Sequence, residues 1–158
     1  MTPLLREPKN INHAHKAFQF VLRWEGGDKY TNDPNDPGGE TKYGISKRSH
    51  PDLDIKNLTP EQALEIYLEK YWFPSGADDL DYPMCLLVFD TAFLCGVGRA
   101  VSWLRRTSNP DEYLQLRKTF HIEKARDNLW ARKYIKGWLN RTTDLRRIID
   151  QCNKEEGA

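Results

Sequence analysis

The chain is poor in cysteine, histidine and methionine and has no long apolar run, and each scarcity removes a class of function. No stretch approaches the roughly 18 apolar residues that a bilayer-spanning helix needs, so no stable membrane insertion is expected. Three cysteines, Cys85, Cys95 and Cys152, are odd in number and lack metal-ligand spacing. Cys85 and Cys95 fall on one expected helix, ten residues apart, which is about 15 Å and too far for a disulfide. They read as buried free thiols. Among the four histidines, His13, His15, His50 and His121, only His13 and His15 are close, and two residues apart on a helix they point away from each other. No metal and no organic cofactor is implied. The first twelve residues carry Arg6 and Lys9 but no apolar core, so a secretory leader is not expected. No internal repeat or low-complexity segment occurs.

What is present is a charge asymmetry hidden by a net charge of +1. Residues 1–98 hold 10 Lys/Arg against 15 Asp/Glu, residues 99–147 hold 13 against 5, and residues 148–158 hold 1 against 3. The basic stretch either attracts an anionic polymer or is a set of solvated helix faces. It carries no recognised nucleic-acid docking motif, so no nucleic-acid partner is expected.

Apolar periodicity places a first helix from Asn12, its N-cap, through Ala14, Ala17, Phe18, Val21 and Leu22. Glu25 is the next position on that stripe, and Gly26-Gly27 ends the helix. Residues 28–44 are rich in Asn, Asp, Pro and Gly, enough for a small hairpin with tight turns at Asp33-Pro34-Asn35 and Pro37-Gly38-Gly39. A short helix is expected over 45–50. Thr59-Pro60-Glu61-Gln62 predicts a capped helix start. Residues 82–96 are apolar nearly all round, as a central buried helix is. Asp90, inside it, needs a buried partner and reads as structural. Further helices are expected over 99–106, from Asn109 on toward Tyr134, and after Gly137. The sum is a single mainly α domain over 1–158 with a small β-hairpin lobe. Within it, 12–80 is the helix-and-hairpin portion and 81–152 the helical portion.

The chemistry concentrates at Glu25. A carboxyl on an apolar stripe is partly desolvated, which favours its neutral form, and a protonated Glu near neutral pH can pass a proton to a glycosidic oxygen. The competing reading is a helix-end charge paired with an arginine. A second group must come from the hairpin, where Asp33, Asp36, Glu40 and Thr41 are the candidates. Either aspartate could instead serve only to close an Asx-turn. Thr41 can hold a water or bond a sugar. A calcium loop starting at Asp33 fails, since Pro37 takes its fifth position and Gly44 its closing twelfth. Tyr30 and Tyr43 could contact sugar rings, whereas Trp72 and Phe73 read as core.

Several blocks resemble glycoside hydrolase family 108, the lysozyme-like N-acetylmuramidases of phages and bacteria. They are Glu25-Gly26-Gly27, Asn32-Asp33-Pro34, Asp36-Pro37-Gly38-Gly39, Thr41, Tyr43-Gly44-Ile45, Tyr71-Trp72, Phe89-Asp90, Gly96, Gly98-Arg99-Ala100 and Lys136-Gly137-Trp138-Leu139-Asn140-Arg141. The resemblance runs from about residue 14 to 141 and implies a lysozyme-like α+β fold. It implies cleavage of the β-1,4 bond between N-acetylmuramic acid and N-acetylglucosamine. The family's catalytic Glu falls on Glu25, its second carboxylate on Asp36 and its catalytic-site Thr on Thr41, with Tyr30, Asp33 and Tyr43 as substrate contacts. The implied partner is bacterial peptidoglycan, met by a monomer made in the cytoplasm and released to the wall through a holin, as a phage or prophage endolysin. The alternative is a catalytically silent peptidoglycan-binding module with the same fold.

Overall fold

A computed structural model describes residues 4–157. Helix α1 (Ile11–Trp24) starts earlier than the sequence pattern suggests: the Asn10 side chain, not that of Asn12, accepts from the His13 amide at 3.1 Å. Its apolar stripe is buried as expected, with Phe20 buried besides. At its end the Gly27 amide reaches back to the Leu22 carbonyl at 2.7 Å while Gly26 sits at φ 89°, the left-handed glycine stop. Glu25 is the cap residue itself.

The polar segment after α1 forms both expected turns: the Asp36 amide bonds the Asp33 carbonyl, and the Gly39 amide that of Asp36. The hairpin lies further on, between β1 (Thr41–Lys42) and β2 (Ile45–Ser46), paired antiparallel with Thr41 opposite Ser46 and Lys42 opposite Ile45. Its two-residue turn is Tyr43-Gly44, both at positive φ (54° and 72°), as a type I′ turn requires. Thr31 adds a bridge to the outer side of Thr41. The helix expected over 45–50 does not form, because Ile45 and Ser46 are committed to β2 and a turn follows.

Helix α2 (Pro60–Tyr67) carries the complete capping box between Thr59 and Gln62. It runs into a wider π-helical turn, Leu68–Trp72, in which the Phe73 amide reaches the Leu68 carbonyl. Helix α3 (Met84–Cys95) is buried on every side from Met84 to Ala92 and packs against α1, α4 (Val97–Arg106) and α5 (Pro110–Asp127). α5 stops at Asp127 rather than running on to Tyr134. A 3-10 turn, Leu129–Lys133, links it to α6 (Ile135–Gly157), whose first turn contains the exposed Gly137. Cys85, Cys95 and Cys152 are free, only the first being fully buried, and Trp72 is core.

Candidate active site

Glu25 projects from the end of α1 toward the hairpin turn and the last helix. A Cβ placed on Gly44 would lie 3.4 Å from Glu25 Cβ, 3.3 Å from the Phe93 ring and 2.6 Å from the Tyr67 hydroxyl. The turn backbone therefore rests directly on the carboxylate's neighbourhood, a proximity only glycine permits. The Tyr67 hydroxyl donates to the Tyr43 carbonyl and pins the turn there. Phe93 stands edge-on to both Tyr67 and Tyr71, at 5.3 and 5.2 Å, so the carboxylate has aromatic walls. The Tyr67 and Tyr71 hydroxyls are pushed up in pKa, by burial first and by the Glu25 charge second.

The second neighbour is Arg141, on α6. Its Nη1 bonds Glu25 Oε2 at 3.0 Å, with the Glu25 side chain still 28% exposed. The same guanidinium gives Nη2 and Nε to Asp90, at 2.5 and 3.1 Å to Oδ1. Asp90 also accepts from Arg117 Nη1 at 2.6 Å, and Arg117 Nε donates to His121 Nε2 at 3.3 Å. Asp90 and Arg117 are fully buried and Arg141 is 4% exposed. Two carboxylates and two guanidiniums thus alternate from the surface to the core, with opposite charges that cancel. The partner demanded by Asp90 is found, and it is double.

These neighbours set the proton affinity of Glu25. Burial raises its pKa above the usual carboxylate value, Arg141 pulls it back through charge and hydrogen bond, and Asp90 adds a small upward push. Desolvation is the largest of these effects and prevails. For Asp90 itself burial pushes upward, but two guanidiniums outweigh it and the pKa lies below the ordinary value. The two carboxyls that share Arg141 are thus shifted in opposite directions, Glu25 upward and Asp90 downward, a separation typical of sites that use acids in different roles.

The hairpin candidates are placed less tightly. Asp33 Oδ1 accepts the Asn35 amide at 2.9 Å and Asp36 Oδ1 the Gly38 amide at 2.8 Å, so both exposed aspartates close Asx-turns. Thr41 Oγ1 leans on the Gly39 carbonyl at 3.3 Å. Tyr30 donates to Glu40 at 2.6 Å, tying together the residues that flank the Thr31–Thr41 bridge. The Tyr43 ring, read from sequence as a cleft residue, is 6% exposed and belongs to the core, while its backbone forms the turn beside Glu25. The structure thus joins Glu25 to the Tyr43-Gly44 turn and keeps Asp33 and Asp36 in the turns before β1. Arg141 is the residue that sequence reasoning left without a role. It lies within a recognised block, but nothing local separates it from the twelve other Lys/Arg of residues 99–147.

A cavity of about 40 Å³ lies under the hairpin between Gly44, Ser46, His50, Tyr67 and Tyr71. Wider grooves run elsewhere, one of about 480 Å³ between α1 and α2 and one of about 520 Å³ beside Arg23, Tyr82 and Asp144. Neither includes Glu25. Among the described residues no cluster of three His, Cys, Asp or Glu side chains could hold a metal ion.

A family model described as Glycosyl hydrolase 108 matches residues 18–96. That span contains Glu25, Asp36, Thr41 and Asp90 and stops short of both arginines. Among solved structures, that of Brucella abortus SagA is similar, with a TM-score of 0.67 and 23% identity over 87% of this chain and 94% of that chain. That likeness concerns the fold, which is mainly α with a small β-hairpin lobe, a lysozyme-like α+β arrangement. No curated protein matches the chain.

Proposed function

The chain belongs to the Glycosyl hydrolase 108 family, and from that premise we propose that it cleaves the β-1,4 bond between N-acetylmuramic acid and N-acetylglucosamine in bacterial peptidoglycan. The observation that carries this reading is the state of Glu25: half-buried against the hairpin turn, raised in pKa by burial, and still 28% exposed. In this reading it is the general acid, protonating the glycosidic oxygen as the bond breaks. Arg141 holds the carboxyl in place and stabilises the carboxylate formed once the proton has left. Asp36 serves as base or electrostatic partner, and Thr41, on the strand leading to Gly44, positions the attacking water. Water delivered from the opposite face inverts the anomeric centre. Tyr30 and Asp33 on the same flap are the proposed sugar contacts, while Tyr43, with its ring in the core, holds the flap's tip beside Glu25. A phage or prophage lysin acting on the wall as a monomer after holin-mediated release is the proposed setting, with the basic residues of 99–147 favouring an anionic wall.

A specific observation favours a second reading. The Arg141–Glu25 pair is also what a silent wall-binding module would keep as a mere helix-end ion pair. One experiment separates them. Purified sacculi are digested with the wild type and with Glu25→Gln, and the released fragments are read by mass spectrometry. The hydrolase reading expects new N-acetylmuramic acid reducing ends from the wild type only, with both forms binding sacculi. Equal behaviour of the two proteins, or N-acetylglucosamine ends, overturns it.

A further inference from the structure

The elbow between α5 and α6 carries surface chemistry that the carboxylate site does not use. Among the described residues few large apolar side chains are exposed, and two adjacent ones sit on this elbow: Leu129 is 77% and Trp130 55% exposed on the linking 3-10 turn. Tyr134, 47% exposed, has its ring 6.4 Å from that of Trp130. Ammonium groups flank the rings, with Lys124 Nζ 5.1 Å from the Trp130 centroid and Lys133 Nζ 5.0 Å from that of Tyr134. From Lys118 to Lys136 six Lys/Arg stand against two carboxylates, and one of those, Asp127, is paired with Arg126. The turn is held firmly, since Arg132 Nε donates to the Ala125 carbonyl at 3.2 Å at the end of α5.

Burying Leu129 gains nothing from a sugar hydroxyl or a phosphate, but it does from hydrocarbon. Tyr134 is stacked on Trp138 at 5.8 Å and 25°, and Trp138 on His121 at 5.1 Å and 24°, so a pyranose or a base finds one face of Tyr134 already taken, and the Trp130 face has Lys124 Nζ beside it. What the elbow exposes is an aliphatic side chain, two aromatic rings and lysine heads. Tryptophan and tyrosine prefer the boundary between headgroups and acyl chains, and lysine stems reach from there to acidic headgroups. We infer that this elbow docks on an anionic lipid surface, with Leu129 and Trp130 entering the headgroup layer and Lys124, Lys133 and Lys136 facing acidic lipids. The association is peripheral, because no described helix is long and apolar enough to cross a membrane. The inference goes beyond the proposed hydrolysis and does not depend on it.

The test is sedimentation of the full chain with phosphatidylcholine vesicles, with or without a large share of phosphatidylglycerol, alongside purified sacculi. The wild type is expected to pellet with the anionic vesicles, to stay free with neutral ones and to be released by salt. Leu129→Asp and Trp130→Ala should each abolish pelleting, and Lys124→Gln or Lys133→Gln should each weaken it roughly fivefold. These side chains are exposed or half-exposed, so unchanged thermal melts show that the variants fold. A blue shift of tryptophan emission on binding, lost in Trp130→Phe, is the second readout. No pelleting with anionic vesicles at low salt overturns the inference, as does undiminished pelleting of Leu129→Asp. Variants that keep vesicle binding but lose sacculi would show a glycan-facing surface instead, and equally overturn it.

Discussion

Glu25 and Asp90 share one guanidinium, and that sharing decides what each carboxyl does. Asp90 is inaccessible and takes most of what Arg141 and Arg117 offer. Replacing it by Asn leaves the buried Arg117 without a counter-charge and Arg141 with Glu25 alone, which costs about 3–5 kcal/mol where buried pairs are broken from one side. Asp90→Asn should therefore lower the melting temperature sharply and reduce activity through loss of fold, as parallel melts and assays would reveal. Glu25 behaves oppositely. Its folded pKa is raised above the unfolded value of 4.5, so the folded state holds the proton more tightly and stability falls as pH rises through the window above 4.5. Glu25→Gln removes that loss. Its melting temperature should exceed that of the wild type at pH 7 and match it in acid below the window, while hydrolysis is abolished. A lower melting temperature at pH 7 would mean that the Arg141 pair, not desolvation, dominates. If Glu25 is the acid, Arg141→Gln removes a downward pull on its pKa, so the alkaline limb of kcat/KM should move to higher pH.

At the scale of elements, the hairpin is where the proposed site and backbone strain meet. Tyr43 is a non-glycine residue at φ 54°, a backbone state that costs an L residue about 1–2 kcal/mol. It is held by the Tyr67 hydroxyl and by burial of its ring. Gly44→Ala would drive a methyl into the Tyr67 hydroxyl and the Phe93 ring. The expected result is a lower melting temperature and a turn lifted off Glu25, with hydrolysis falling at least tenfold if a misplaced site costs about 1.4 kcal/mol or more of barrier. By contrast Thr59→Ala, which breaks only the α2 capping box, should cost about 1 kcal/mol of stability and leave kcat unchanged. The same contrast explains what was legible in the sequence. Thr59-Pro60-Glu61-Gln62, the Gly26-Gly27 stop and the all-apolar run of α3 are local signals, and each element is where those signals put it. The Tyr43-Gly44 turn was not legible, because a tyrosine at its first position lacks the Asn-Gly pattern and is stabilised by Tyr67 from a distant helix. The sequence pattern places the start of α1 two residues late, at Asn12, because an Asn at either position can cap and only the fold shows that Asn10 does. Glu25 was legible as the next position of an apolar stripe. Arg141 was not, since its partners lie 116 and 51 residues away in the chain.

Across the whole molecule, the charged chain joins α1, α3, α5 and α6, so its protonation bears on the entire fold. Its inner end is His121, 1% exposed and pushed down in pKa to about 3, by burial first and by the Arg117 charge second. An unfolded histidine takes a proton near pH 6.5, while the folded one refuses it until about 3. Stability conferred by His121 is therefore full above 6.5 and drains as pH falls toward 3, with a slope of at most about 1.4 kcal/mol per pH unit for one proton. The low pKa of Asp90 adds loss in the same direction below 3.8. Glu25 runs the other way from 4.5 upward and masks part of the slope, so the clean measurement uses the Glu25→Gln background. There, His121→Gln keeps an acceptor for Arg117 Nε but has no proton to gain. Denaturant unfolding between pH 7 and 4.5 should show a steep fall for Glu25→Gln and a much flatter profile for the double variant. Some slope persists because burial also lowers the His50 pKa. Parallel profiles for the two proteins would mean that His121 takes its proton while folded, so that the buried chain of charges extends past Arg117 to the imidazole.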